Sequence, residues 1–179
     1  MALEHWSPPP AGSFKVNFDT TIHEQFFVQA VVCRDSQGHI LNALSQISPL
    51  CEANFGEALA ASLAFSLDLK TLSIEGDSSV VIAALKTPAL SQDWHINSVI
   101  VATLASLLAS SSWEARKLHR SANFCVYHVV FWAAARGFLG CIPIFFSIYP
   151  FPPSSIPICS EKDPHFFFVL ACDTFGSSV

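Results

Sequence analysis

From residue 14 to residue 19, Phe14, Val16 and Phe18 alternate with Lys15, Asn17 and Asp19, the two-residue period of a half-buried strand. Asp19 falls on the polar side of that alternation. A second apolar run at 26–34 passes through Asp35-Ser36-Gln37-Gly38 into a third at 39–46, and a glycine-containing turn between two such runs predicts a hairpin. Three antiparallel strands therefore open the chain. Residues 53–69 are rich in Ala and Leu, with no Gly or Pro after Gly56, and predict a largely buried helix with Glu57 in its first turn. A short strand at 71–75 runs into Gly76-Asp77-Ser78-Ser79, where Asp or Ser can cap a helix reaching about Lys86, and Pro88 closes that helix. Periodicity then predicts a helix at 96–109, a strand at 113–119 and a last helix at 122–136. The order is βββαβααβα, without internal repeats.

Composition narrows the classes. A chain of 179 residues with 51% apolar content can bury one good core, so a single domain is expected at 13–136, between a Pro-rich lead-in at 1–12 and a Pro- and Phe-rich tail at 137–179. Charged residues are 13% of the total and the net charge is −5, which excludes a basic protein that coats nucleic acid. Any such contact must be local, and Arg116, Lys117 and Arg120 are the clustered cations available for it. The six cysteines stand singly, with no pair at zinc-finger spacing, so free thiols in a reducing compartment are expected.

The lead-in has no basic stretch followed by an apolar one, so it does not read as a secretory signal, and an intracellular protein is expected. Residues 137–160 carry no charge and suggest a membrane span on hydropathy alone. Pro143, Pro150, Pro152, Pro153 and Pro157 argue against one, because each removes a backbone donor that lipid cannot replace. The tail reads as an extended appendage, with an apolar run at 166–170 that can pack back on the domain or meet a partner.

Three isolated acids stand at places that a helix-covered antiparallel sheet can bring together: Asp19 on the first strand, Glu57 on the first helix and Asp77 after the fourth strand. Carboxylates that close raise one another's pKa, and a bound dication keeps them ionised; Mg²⁺ suits such hard oxygen ligands. Taken singly, each has an ordinary explanation. Asp19 can be a solvated strand-end residue, Glu57 an acid favoured by the helix dipole and Asp77 a cap. The histidines at 5, 23, 39, 95, 119 and 165 have no acid or Cys partner at ligand-like spacing. No Gly-x-Ser-x-Gly elbow is present to suggest a serine hydrolase.

Several motifs in order carry a family resemblance. Trp6-Ser7-Pro8-Pro9-Pro10-Ala11-Gly12 and Lys15-Val16-Asn17-Phe18-Asp19 resemble the opening of plant ribonuclease H-like domains of the reverse-transcriptase-associated kind. Val32-Cys33-Arg34-Asp35-Ser36-Gln37-Gly38 is similar to that family's second strand and turn, Glu57-Ala58-Leu59-Ala60-Ala61 to its acidic helix, and Glu75-Gly76-Asp77-Ser78 to its fourth strand and third acid. His119-Arg120-Ser121-Ala122-Asn123 and Trp132-Ala133-Ala134 are similar to its last helix and the step before it. The resemblance covers about residues 6–136, with a looser echo near 152–163. It implies a ribonuclease H-like α/β fold: a mixed five-stranded sheet, its first three strands antiparallel, with helices on both faces. It also implies hydrolysis of the RNA strand of RNA–DNA hybrids by two Mg²⁺ ions on Asp19, Glu57 and Asp77. Arg116, Lys117, Arg120 and Asn123 would contact the nucleic acid.

Two departures stand out. The family places a fourth metal-facing residue, Asp or His, four positions after the asparagine; here that residue is Tyr127, and His128 follows it, turned by about 100° on a helix. His128 is the candidate for the fourth catalytic residue. Where the family has a glycine-containing turn after the first acid, this chain has Thr20-Thr21-Ile22-His23-Glu24. Beside the nuclease there is accordingly a second reading, a catalytically impaired module of the same fold that binds nucleic acid or protein.

Overall fold

A computed structural model describes residues 6–23, 25–67, 69–87, 94–107 and 112–142. Pro88, the run at 166–170, two of the six cysteines and all of the tail after Ile142 lie outside the described residues. Cys33, Cys51 and Cys141 are free thiols.

Strands β1 (Phe14–His23), β2 (Phe26–Arg34) and β3 (Ile40–Pro49) pair antiparallel in sequence. His23 pairs with Phe26, so the first connection is short, and the two rings stack at 4.9 Å. Between β2 and β3, Gly38 adopts φ +83°, and Asp35 accepts from the backbone N–H groups of Gln37 and His39, which closes the turn. Helix α1 (Ala53–Phe65) crosses to β4 (Thr71–Gly76), which lies parallel to β1, and α2 (Ser79–Lys86) and α3 (Trp94–Leu107) lead to β5 (Ser112–Lys117), parallel to β4. A single 3-10 turn at Arg120–Asn123 then opens α4 (Phe124–Arg136).

The sheet has six strands in the order β5-β4-β1-β2-β3-β6, one more than the pattern predicts. Gly137 ends α4 in the left-handed region at φ +58°, and the chain turns back so that β6 (Gly140–Cys141) pairs with Leu44 and Ser45 of β3. Two residues are too few to show a period. Trp6 and β6 both pack on the sheet, so the folded unit reaches past residues 13 and 136 on either side.

Helices cover both faces. Val16, Phe18, Val31 and Cys33 meet Ala58, Ala61 and Ala64 of α1, Leu85 of α2 and Ile100 of α3 on one side. On the other, Val28, Ala30 and Val32 meet Val126, Val129, Val130 and Ala133 of α4. The consequence corrects the half-buried reading of β1: Lys15, Asn17 and Asp19, its polar alternates, are buried too. Every residue of β2 from Phe27 to Arg34 is buried, as suits a central strand.

Candidate metal centre

Strands β1 and β4 run parallel, and their last paired residues are Asn17 and Glu75. Asp19 and Asp77 each stand two residues beyond that pair, where the strands part; ligands in open α/β sheets gather at such carboxyl ends. Two glycines let the third element close in. A Cβ on Gly56 would lie 2.7 Å from Phe27 Cδ1 and 3.4 Å from Thr20 Oγ1, so the bare backbone of α1 rests on the sheet and carries Glu57 to the site. A Cβ on Gly76 would meet the Phe18 ring at 2.3 Å, just before Asp77.

The three acids converge: one carboxylate oxygen from each of Asp19, Glu57 and Asp77 lies within 4.8 Å of the others. The ordinary explanation of each then weakens. Asp19 is buried, not solvated. Glu57 sits past the first turn of α1, which holds no acid, correcting the first-turn placement and removing most of the dipole's pull. Ser78, not Asp77, caps α2, its hydroxyl accepting from the Val81 N–H at 3.4 Å.

Burial, reinforced by the charge of Asp77, pushes Asp19 up to about 7, although the Thr20 N–H donates to its Oδ1 at 2.9 Å. Burial and the charges of Asp19 and Asp77 push Glu57 up to about 9. Arg120 offsets little, its Nε standing 3.9 Å from Asp77 Oδ2 with the side chain 73% exposed. Glu57 Oε2 is buried without a hydrogen-bond partner. Three hard oxygen donors, one of them orphaned, with Arg120 loosely held beside Asp77 among the described residues, fit a divalent ion such as Mg²⁺.

Behind the acids lies a buried polar network that the pattern of the sequence did not disclose. Lys15 Nζ sits 2.7 Å from Glu75 Oε1 and donates to the Ser7 carbonyl at 2.8 Å, and Trp6 Nε1 donates to Glu75 Oε2 at 3.1 Å. Arg34 lies 3.4 Å from the Trp6 ring centroid and donates to Asn17 Oδ1 at 2.6 Å. Asn17 in turn donates to Asn123 Oδ1 at 3.3 Å, and Asn123 Nδ2 donates to the Phe18 carbonyl at 3.0 Å. Asn123, expected to meet nucleic acid, is 1% exposed and instead ties the start of α4 to β1. Its amide has no surface to offer. The signal was present in Trp6 and in the alternating charges of β1, but the cover that buries them comes from elements distant in sequence.

Arg116, Lys117 and Arg120 are exposed, and Leu118 N–H donates to the Gly76 carbonyl, which sets this basic segment beside Asp77. Arg116 pairs with Glu114 at 2.9 Å. His128 does not join the group formed by the three acids; its ring packs on Phe124 with centroids 4.0 Å apart, and burial holds its pKa below the usual value. Arg120, which faces Asp77, also stands beside Tyr127, its guanidinium 5.6 Å from that ring's centroid.

No family model and no curated protein matches the sequence. Solved structures do match the fold. The ribonuclease H1 of the halophilic archaeon Halobacterium salinarum superposes with a TM-score of 0.64 at 16% identity, covering 70% of this chain and 99% of that one. LC11 ribonuclease H1, isolated from compost and solved in complex with an RNA/DNA hybrid, gives 0.63 at 13% identity over 70% of this chain and 99% of that one. A foamy viral protease-reverse transcriptase in complex with an RNA/DNA hybrid gives 0.55 at 13% identity over 68% of this chain and 20% of that one. The chain has a ribonuclease H-like α/β fold. No described helix is long and apolar enough to cross a membrane.

Proposed function

We propose that this is a ribonuclease H-type nuclease domain that hydrolyses the RNA strand of RNA–DNA hybrids with two Mg²⁺ ions held by Asp19, Glu57 and Asp77. The convergence of the three carboxylates carries the reading. When bound, the ions would activate a water for in-line attack and stabilise the departing oxygen. Asp19, which is buried, would hold the ions together with Glu57 and Asp77. Arg120, loosely paired with Asp77, would with Lys117 and Arg116 offer positive charge to phosphates at the mouth of the site. The hybrid, with an A-like groove, would be read by its shape and 2′-hydroxyl groups.

One observation favours the second reading, a module that binds without cutting: Tyr127 occupies the fourth position and His128 stands outside the acid group. Cleavage of a labelled hybrid in Mg²⁺ by the wild type and by Asp19→Asn separates the two. The nuclease predicts cleavage abolished in the variant. Equal cleavage by both proteins would sink the mechanism, and salt-sensitive hybrid binding without cleavage by the wild type would establish the binding module.

A further inference from the structure

One face of α4 carries the exposed Phe124 and Phe131 and, between them, the half-buried Tyr127 and His128, spaced i, i+3, i+4 and i+7. Their rings form one continuous row, with centroids 4.0 Å apart for Phe124 and His128, 5.5 Å for His128 and Tyr127, and 4.7 Å for Tyr127 and Phe131. The opposite face, including Val126, Val129 and Val130, is buried against the sheet. A helix on a domain surface ordinarily turns charge to the water. This one turns rings, with Phe124 53% and Phe131 47% exposed and no acid anywhere on the helix.

The row does not stand alone. Arg120 stands beside it, its Nε 3.9 Å from Asp77 Oδ2 and its guanidinium 5.6 Å from the centroid of Tyr127. One cation thus faces both Asp77 of the carboxylate cluster and an inner ring of the row. We propose that this row is a stacking platform for unpaired nucleotides, held beside the duplex whose phosphate reaches the acids. The proposal rests on the nucleic-acid reading above and assigns a role to Tyr127, the residue at which this chain departs from the family it resembles.

Unpaired bases fit better than the alternatives. Bases within a duplex hide their faces in the stack, whereas unpaired bases offer a π-face of any sequence to an aromatic ring. Phosphates that follow such bases meet no repelling acid along α4 and find Arg120 at its start. Four side chains on one helix are also far fewer than the roughly 20–30 residues a side of a stable protein interface, which disfavours a second copy of the chain.

The test uses the full chain in Mg²⁺ and a fluorescent single-stranded oligothymidylate, which carries no RNA to cleave. Phe124→Ala and Phe131→Ala should each weaken its binding by about 5- to 100-fold, while Phe131→Trp retains it and Phe131→Leu does not. On hybrids, the Ala variants should raise KM for a substrate with a single-stranded extension and leave a blunt one unchanged. Binding unaltered by the Ala variants, or Leu serving as well as Phe, overturns the platform. So does a wild-type dimer, seen by sedimentation, that Phe131→Ala dissociates without changing oligothymidylate binding. If hybrid cleavage fails while the Ala variants still lose single-stranded binding, the nuclease reading falls and the platform stands.

Discussion

The Phe18 ring lies directly against the backbone of Gly76: a Cβ built there would sit 2.3 Å from Cζ and 2.6 Å from Cε1. Phe18 is wholly buried between β1 and the helices, so the ring has little freedom to retreat. Gly76→Ala should therefore cost about 1–3 kcal/mol of stability by overpacking, read as a lower urea midpoint at unchanged slope. Since Asp77 is the next residue, divalent-ion affinity should fall in the same variant. A Gly76→Ala protein as stable as the wild type would mean that β4 is free to shift, and would remove the reason for a glycine at this position.

Lys15 and Glu75 form a buried ion pair, 2.7 Å long, with Trp6 and Asn17 supplying further hydrogen bonds to the carboxylate. Removing one charge leaves the other buried and uncompensated, at a cost of about 3–5 kcal/mol, whereas removing both escapes that penalty. Lys15→Met should accordingly be less stable than the double variant Lys15→Met/Glu75→Gln in chemical denaturation. The reverse ranking would show that the Trp6 and Asn17 donors satisfy Glu75 without the lysine.

In the metal-free protein, Asp19 rises from 3.8 to about 7 and Glu57 from 4.5 to about 9, both chiefly through burial. An acid whose folded-state pKa is raised stabilises the fold while protonated, so this contribution is complete below about pH 4 and is lost as pH climbs through 7 and 9. The melting temperature in EDTA should fall between pH 5 and pH 9. Mg²⁺ should restore more of it at the upper end, because the ion binds the ionised carboxylates. Glu57→Gln should flatten the upper part of the EDTA curve; a metal-free melting temperature that climbs across this range contradicts the assignment.

The element order was legible because each run keeps one period long enough to show, and the acids stood out because each is isolated among apolar neighbours. Burial was less legible. Lys15, Asn17 and Asp19 alternate with apolar residues as if facing water, yet α4 and the segment at Trp6 cover that side, and nothing near β1 in sequence announces either. The burial of Asn123 was hidden for the same reason: its partners, Asn17 and the Phe18 carbonyl, are known only from the fold. The close approaches at Gly56 and Gly76 left a faint trace, a glycine immediately before two of the three acids. Read alone, either glycine signals only a helix start or a turn.

Arg120 and Asn123, three residues apart and both expected at a nucleic-acid surface, should now behave differently. Arg120 is exposed and holds Asp77 only loosely, so Arg120→Ala should change stability by less than about 0.5 kcal/mol. If it meets a phosphate, hybrid affinity should fall and the slope of log affinity against log salt should lessen by about 1. Asn123→Ala removes the buried bonds to Asn17 and to the Phe18 carbonyl, so it should cost about 1–3 kcal/mol and leave the salt slope untouched. Thermal melts and hybrid titrations at several salt concentrations measure both quantities. A changed salt slope in Asn123→Ala, with stability preserved, would put that amide at the interface after all.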